Sequence, residues 1–129
     1  MFIPKFYRCS VCGQMVSFLN DNCKCVDCPT CCGKPMTLLV ANTSDGAAEK
    51  HVPVAERNGD ELTVRVGSVA HPMTEEHFIE WVYVFFDNGG QRHIFKPGDK
   101  PECTFNVKFG KPVTIYAYCN IHGLWEAKL

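Results

Sequence analysis

Beyond residue 40 the chain alternates apolar with polar side chains in short runs. Leu62-Thr63-Val64-Arg65-Val66 puts every second residue on one apolar face, the period of a half-buried strand. Asn58-Gly59 just before it signals a hairpin turn. Residues 78–86 are rich in aromatic and β-branched side chains, apolar on both faces apart from Glu80, and predict a further strand. That run closes at Asp87-Asn88-Gly89-Gly90, residues suited to positive φ. In 103–109 and again in 113–119 the odd positions are apolar, small or aliphatic, so Cys119 continues the buried stripe of its strand. No amphipathic helix of three turns is evident. Thr74-Glu75-Glu76-His77 suits a single helical turn, with Thr74 capping Glu76 or His77. Short strands separated by turn residues predict an all-β fold of the sandwich type. The run 42–46, Asn-Thr-Ser-Asp-Gly, reads as a polar hinge in front of it.

Composition divides the chain in two. Seven of the nine cysteines fall between Cys9 and Cys32, whereas all five histidines lie from His51 onward with only Cys103 and Cys119 for company. The length of 129 residues accommodates one compact domain plus a small metal-stapled module, expected as 1–40 and 41–129. Charge is balanced, with 13 Lys+Arg against 14 Asp+Glu, and no basic run is present to neutralise a phosphate backbone, which argues against nucleic acid as a partner and against a zinc-ribbon reading of the C-x2-C pairs. No apolar stretch approaches the ~20 residues of a membrane helix. The N-terminal residues show no export signal, so the expected compartment is the cytoplasm, where cysteines at short spacing bind metals more often than they form disulfides.

Histidine and cysteine together form a ligand set. Cys119-Asn120-Ile121-His122 places a soft and a borderline donor within reach of one ion, and His51, His71 and His77 sit in compact polar contexts. A C-x2-H alone is equally well a core cysteine beside a satisfied histidine; three further histidines favour the metal. Structural zinc takes four ligands in a closed tetrahedron, whereas five protein donors with one vacancy suit a metal that binds a small molecule, which points to iron. His93 lies outside any such motif and reads as a surface or strand residue.

At the N-terminus, Cys9-x2-Cys12 is half of a four-sulfur site. Either Cys31-Cys32 or the C-x2-C pair Cys28-Pro29-Thr30-Cys31 can supply the other half. Cys23, Cys25 and Cys28 are additional thiols that could exchange as ligands, hold a second metal, form redox disulfides or stand idle.

Three segments carry a resemblance: residues 48–54 (Ala-Glu-Lys-His-Val-Pro-Val), 67–77 (Gly-Ser-Val-Ala-His-Pro-Met-Thr-Glu-Glu-His) and 119–125 (Cys-Asn-Ile-His-Gly-Leu-Trp). They resemble the signature segments of superoxide reductases, the mononuclear iron enzymes also called desulfoferrodoxins or neelaredoxins. The N-terminal Cys9-x2-Cys12 with Cys31-Cys32-Gly33-Lys34-Pro35-Met36 is similar to the desulforedoxin-like module fused in front of many of them. The resemblance implies an immunoglobulin-like sandwich, with four imidazoles around an iron and Cys119 along the axis. It implies one-electron reduction of superoxide to hydrogen peroxide, an iron or zinc site at Cys9, Cys12, Cys31 and Cys32, a rubredoxin-like electron donor and a homodimer. In the family the residue at Lys50 attracts the anion and helps supply protons, and the residue at Glu49 can occupy the sixth position. The competing readings are superoxide dismutation at the same iron and an electron-transfer or metal-binding protein without turnover. Trp125 and Pro72, flanking the ligand segments, are expected to limit water around the site.

Overall fold

The computed structural model describes residues 2–129; Met1, the first residue of the predicted N-terminal module, lies outside the described residues. The chain divides into two compact units, one ending at Leu39 and the other spanning Val40–Leu129.

The first unit contains β1 (Phe6–Arg8), β2 (Met15–Ser17), β3 (Thr30–Cys31), β4 (Lys34–Pro35) and β5 (Thr37–Leu38). β2, β1 and β5 make a small antiparallel sheet in that order, and β3 pairs with β4 as a separate hairpin. Its buried apolar residues are few, chiefly Phe6, Cys9 and Met36. So little apolar burial does not hold a segment of this length, which therefore depends on a cross-link or a metal.

The second unit opens with a four-residue helix, α1 (Ala48–His51), followed by β6 (Pro53–Asn58), β7 (Glu61–Val66), β8 (Ile79–Phe86), β9 (Gly89–Ile94), β10 (Glu102–Asn106), β11 (Pro112–Cys119) and β12 (Gly123–Lys128). One sheet has the order β10-β7-β6 and the other β12-β11-β8-β9, with every pairing antiparallel. The alternating residues anticipated from sequence meet between the sheets. Leu62, Val64, Val66, Cys103 and Phe105 come from one side, and Val82, Val84, Phe86, Ile115, Ala117 and Cys119 from the other. Each fully buried aliphatic side chain contributes about 1.5–3 kcal/mol relative to exposure.

Several local expectations shift. Asn58 pairs with Glu61, so the hairpin turn is Gly59-Asp60, with Gly59 in the left-handed region at φ 63°. Phe86 pairs with Gly89, so the next turn is Asp87-Asn88 and both glycines begin β9. The third predicted strand ends at Asn106; Val107 is still buried, but Phe109 is exposed. Residues 74–77 are not helical. Thr74 does cap the turn, its hydroxyl accepting the His77 N–H at 3.1 Å, but the backbone closes a tight reversal instead, with mutual Thr74 and His77 backbone bonds.

The run 42–46 is not a hinge. Asn42 hydrogen bonds along β12: its N–H donates to Leu124 O at 3.0 Å, its amide nitrogen to Glu126 O at 3.2 Å, and its Oδ1 accepts the Glu126 N–H at 2.9 Å. An asparagine that mimics a strand partner in this way lays the segment against the sheet.

Candidate metal centres

Strand direction brings five side chains to one end of the sandwich. His51 precedes the start of β6, His71 follows the end of β7, His77 precedes the start of β8, Cys119 ends β11, and His122 lies in the turn leading to β12. β11 and β12 form a hairpin whose last pair is Cys119 and Gly123; Gly123 holds φ 77°, which lets Asn120-Ile121-His122 double back over the strand end. The His122 N–H donates to Cys119 Sγ at 3.4 Å, and Trp125 Nε1 donates to His122 O at 3.1 Å, with the Ser44 hydroxyl donating to the same carbonyl.

One ligand atom from each of His51, His71, His77, Cys119 and His122 lies within 4.8 Å of all the others. The four rings form a near-square. Neighbouring centroids are 4.5 Å (His51–His71), 4.6 Å (His71–His77), 5.0 Å (His77–His122) and 4.8 Å (His122–His51) apart, and the His51–His77 diagonal is 6.3 Å. Adjacent rings stand at 66° to 85° to one another, so each presents an edge to the centre. Cys119 is fully buried, while an open cleft of about 660 Å³ is lined by His51, His77, His122, Pro72, Lys50 and residues 44–47.

Hydrogen bonding decides which nitrogens are available. His51 Nδ1 donates to Ala47 O at 2.7 Å and His71 Nδ1 donates to Pro72 O at 2.6 Å, which leaves both Nε2 atoms as lone pairs. Those lone pairs meet at 3.0 Å, and His122 Nδ1 approaches His51 Nε2 at 3.1 Å. His77 Nε2 is the buried side-chain nitrogen left without a partner among the described residues. Converging lone pairs around an orphaned nitrogen are the arrangement a cation resolves, so these residues fit a metal ion.

Electrostatics agree. Burial, the largest cause in each case, pulls His51, His71 and His77 below the ordinary imidazole value, His71 to about 4, which keeps them neutral and able to coordinate. Burial pushes the Cys119 thiol up, against the opposing backbone N–H groups of His122 and Ile121. A metal supplies the charge that ionises such a thiol.

Of the two residues expected beside the site, Lys50 lines the cleft and Glu49 does not. Both are exposed on α1, and the Glu49 backbone carbonyl accepts Val69 N–H at 2.8 Å and the Ser68 hydroxyl at 3.2 Å. His93 lies on exposed β9, away from the ligand group. Trp125 stacks on His51 with centroids 4.9 Å apart at 29°, and Pro72 lines the cleft mouth.

Three further residues outside the expected ligand set shape the site. A Cβ on Gly46 would lie 2.9 Å from Trp125 Cζ2 and 3.2 Å from both His122 Cβ and His51 Cε1. Gly67 is as tight, with a Cβ falling 2.7 Å from Glu49 O and 2.9 Å from Val52 O. Asn120 clamps the His77 turn: its Oδ1 accepts Phe78 N–H at 3.0 Å and its amide nitrogen donates to Glu76 O at 3.0 Å. Gly67 inside a ligand-bearing segment and Asn120 between two ligands were the available clues, whereas Gly46 stands in the turn-like run 42–46.

In the N-terminal unit, Cys9, Cys12, Cys31 and Cys32 bring their sulfurs within 4.8 Å of one another, and Cys28 stays outside this group. Cys12 Sγ lies 3.7 Å from Cys31 Sγ, and Cys31 Sγ lies 3.9 Å from Cys32 Sγ. Backbone N–H groups of Cys12 and Val11 draw Cys9 down to about 6, while hydrogen bonding to Cys12 and Cys9 pushes Cys31 up to about 12. Four thiols competing for one negative charge fit a tetrahedral cation site.

The profile of the family described as Desulfoferrodoxin matches residues 43–128. A desulfoferrodoxin of Syntrophotalea carbinolica is 47% identical over 122 residues, covering 95% of this chain and 94% of the relative. A superoxide reductase of Pyrococcus horikoshii is 40% identical over 102 residues, covering 65% and 89%. Among solved structures, the superoxide reductase from Treponema pallidum superposes with a TM-score of 0.78 at 33% identity, covering 98% of this chain and 100% of that one.

Proposed function

The chain belongs to the desulfoferrodoxin family of superoxide reductases, and from that premise we propose how its own residues divide the work. It is a superoxide reductase, an oxidoreductase that converts superoxide, one electron and two protons into hydrogen peroxide at a mononuclear non-haem iron. Ferrous iron, when bound, supplies the single electron. His51, His71 and His77 would hold it through Nε2, His122 through Nδ1 and Cys119 through its buried sulfur. The observation that carries this reading is the square of imidazole rings with a buried thiol beside it and a cleft that three of the histidines line and the thiol does not.

The carbonyls of Ala47 and Pro72 fix the ring tautomers, so the donors are aimed before the metal arrives. Lys50 at the cleft draws in the superoxide anion, because a cation beside a focused opening raises encounter rates. Pro72 and the Trp125 ring behind His51 restrict water around the centre. Glu49, exposed on the same turn as Lys50, would be the carboxylate that the family resemblance offers to the iron.

The unit ending at Leu39 is the desulforedoxin-like module, with Cys9, Cys12, Cys31 and Cys32 holding iron or zinc, and Val40–Leu129 is the catalytic sandwich. The family resemblance supports a rubredoxin-like electron donor and a homodimer, and cysteines at short spacing suit the reducing surroundings of the cytoplasm. Among the described residues no helix is long and apolar enough to cross a membrane.

A steady flux of superoxide onto the reduced protein tests the reaction. One hydrogen peroxide per superoxide with no oxygen is expected; oxygen release with half that peroxide would make it a dismutase.

A further inference from the structure

Of the four thiols outside both ligand groups, Cys103 is buried in the sandwich core and the other three are exposed. Cys23, Cys25 and Cys28 are exposed and free, and among the described residues no set of three converging metal ligands includes any of them. They lie in the irregular segment between β2 and β3 and line one cleft of about 380 Å³, whose wall also includes Lys5 and Asp21. Within it Cys23 Sγ lies 4.0 Å from Cys25 O, and the Cys23 and Cys28 thiols are close enough to shift each other's titration. Thiols that share a cleft without converging as a set of three do not close a zinc or iron site, but a neighbouring pair can form one S–S bond.

We propose that Cys23 and Cys28 are a dithiol site that hydrogen peroxide oxidises to an intramolecular disulfide. The two sulfurs are not equivalent. The hydrogen bond from Cys28 and the Cys25 backbone N–H lower the Cys23 value, and the same contact raises Cys28, so Cys23 is the nucleophile and Cys28 the resolving thiol. The Cys23 thiolate attacks one peroxide oxygen and the O–O bond breaks. Cys23 becomes a sulfenic acid, and the departing hydroxide takes a proton and leaves as water. Cys28 sulfur then displaces the sulfenic hydroxyl, which leaves as a second water as the S–S bond forms. In sum, two thiols and one hydrogen peroxide give a disulfide and two waters, the sulfurs supplying both electrons. The oxidant is the product of the reaction assigned above, and the inference rests on that reading only for the peroxide's source. Thiol–disulfide exchange with a dithiol reductant returns the pair to its starting state.

The test uses the full-length, metal-loaded, reduced protein without oxygen. One equivalent of hydrogen peroxide is added directly, remaining thiols are alkylated and the peptides are mapped by mass. A Cys23–Cys28 cross-linked peptide is expected as the first product. Cys28→Ser should accumulate a sulfenic acid at Cys23 that a dimedone probe captures, and Cys23→Ser should slow oxidation of Cys28 by roughly tenfold or more. Recovery of both residues in alkylated form after the peroxide is consumed would overturn the proposal, as would pairing of Cys23 with Cys25 or with a second molecule, or protection of the pair by an extra equivalent of zinc. The double variant should reduce superoxide at the wild-type rate, so a failure of the dithiol reading is distinguishable from a failure of the iron reading.

Discussion

His51 and His71 face each other through bare Nε2 atoms 3.0 Å apart, each ring held from behind by a backbone carbonyl. Neither nitrogen carries a proton to share, so the contact is repulsive until a cation lies between them. Loading the protein with ferrous iron or zinc should therefore raise the unfolding midpoint of the sandwich. The gain reaches about 4 kcal/mol at a thousandfold excess over Kd. Calorimetry of chelated against reconstituted protein measures it, and equal midpoints would mean that the rings are not ligands.

Acid should unfold the metal-free protein through the same residues. Burial holds His71 at about 4 against an ordinary 6.5, and His51 and His77 move in the same direction. Folded values lie below unfolded ones, so between them the unfolded chain binds more protons. Stability is present above 6.5 and declines as pH falls toward 4. Denaturant titrations across that window check the sign; a flat profile would contradict it.

Gly46→Ala introduces a methyl group into the space between Trp125, His122 and His51. The ring stack has no room to yield without moving two ligands. We expect about 1–3 kcal/mol of lost stability from overpacking and weaker retention of iron in competition with a chelator, with the β-sheet circular dichroism unchanged.

Asn120→Ala removes the acceptor for Phe78 N–H and the donor to Glu76 O together, freeing the turn that carries His77. A cost of about 1–3 kcal/mol follows from the unsatisfied backbone groups. Iron retention should fall in the same variant, and an altered absorption band of the iron centre would report the displaced imidazole. Normal stability with a normal spectrum would remove Asn120 from the account.

These two residues mark where sequence reading loses sight of the fold. Cys119 was legible because strand parity alone places it in the buried stripe, and four histidines stood out through their donor chemistry. β7 was legible for the same reason, its apolar period surviving into the structure, and β8 and β11 were legible as β-rich apolar runs that the structure buries along most of their length. β9 was not, since Gly89–Ile94 is exposed throughout and pairs at the margin of its sheet, where no core demands an apolar face. β6 is likewise exposed after Pro53. Asn42 and Ser44 read as hinge residues because their partners, Glu126 and His122, lie 84 and 78 positions away, and a side chain that completes a distant hydrogen bond looks locally like turn punctuation. Among the cysteines, spacing alone left Cys28 and Cys31-Cys32 both open, the resemblance favoured Cys31-Cys32, and it is their sulfurs that lie within 4.8 Å of those of Cys9 and Cys12.

Lys50→Ile should slow the reaction with superoxide by roughly tenfold at low ionic strength, since the cation acts on encounter with an anion. Added salt should shrink the difference between variant and wild type by slowing the wild type. An unchanged second-order rate at low salt would take Lys50 out of the reaction.

The most direct measurement is a pulse of superoxide delivered to the ferrous protein, with iron content and the absorption of the centre followed together. The account predicts a fast second-order reaction that oxidises one iron per superoxide in the sandwich unit, and loss of that reaction in Cys119→Ser and His77→Ala proteins whose sheets remain folded. An iron-loaded protein that ignores the pulse, or variants that react as the wild type does, would contradict it.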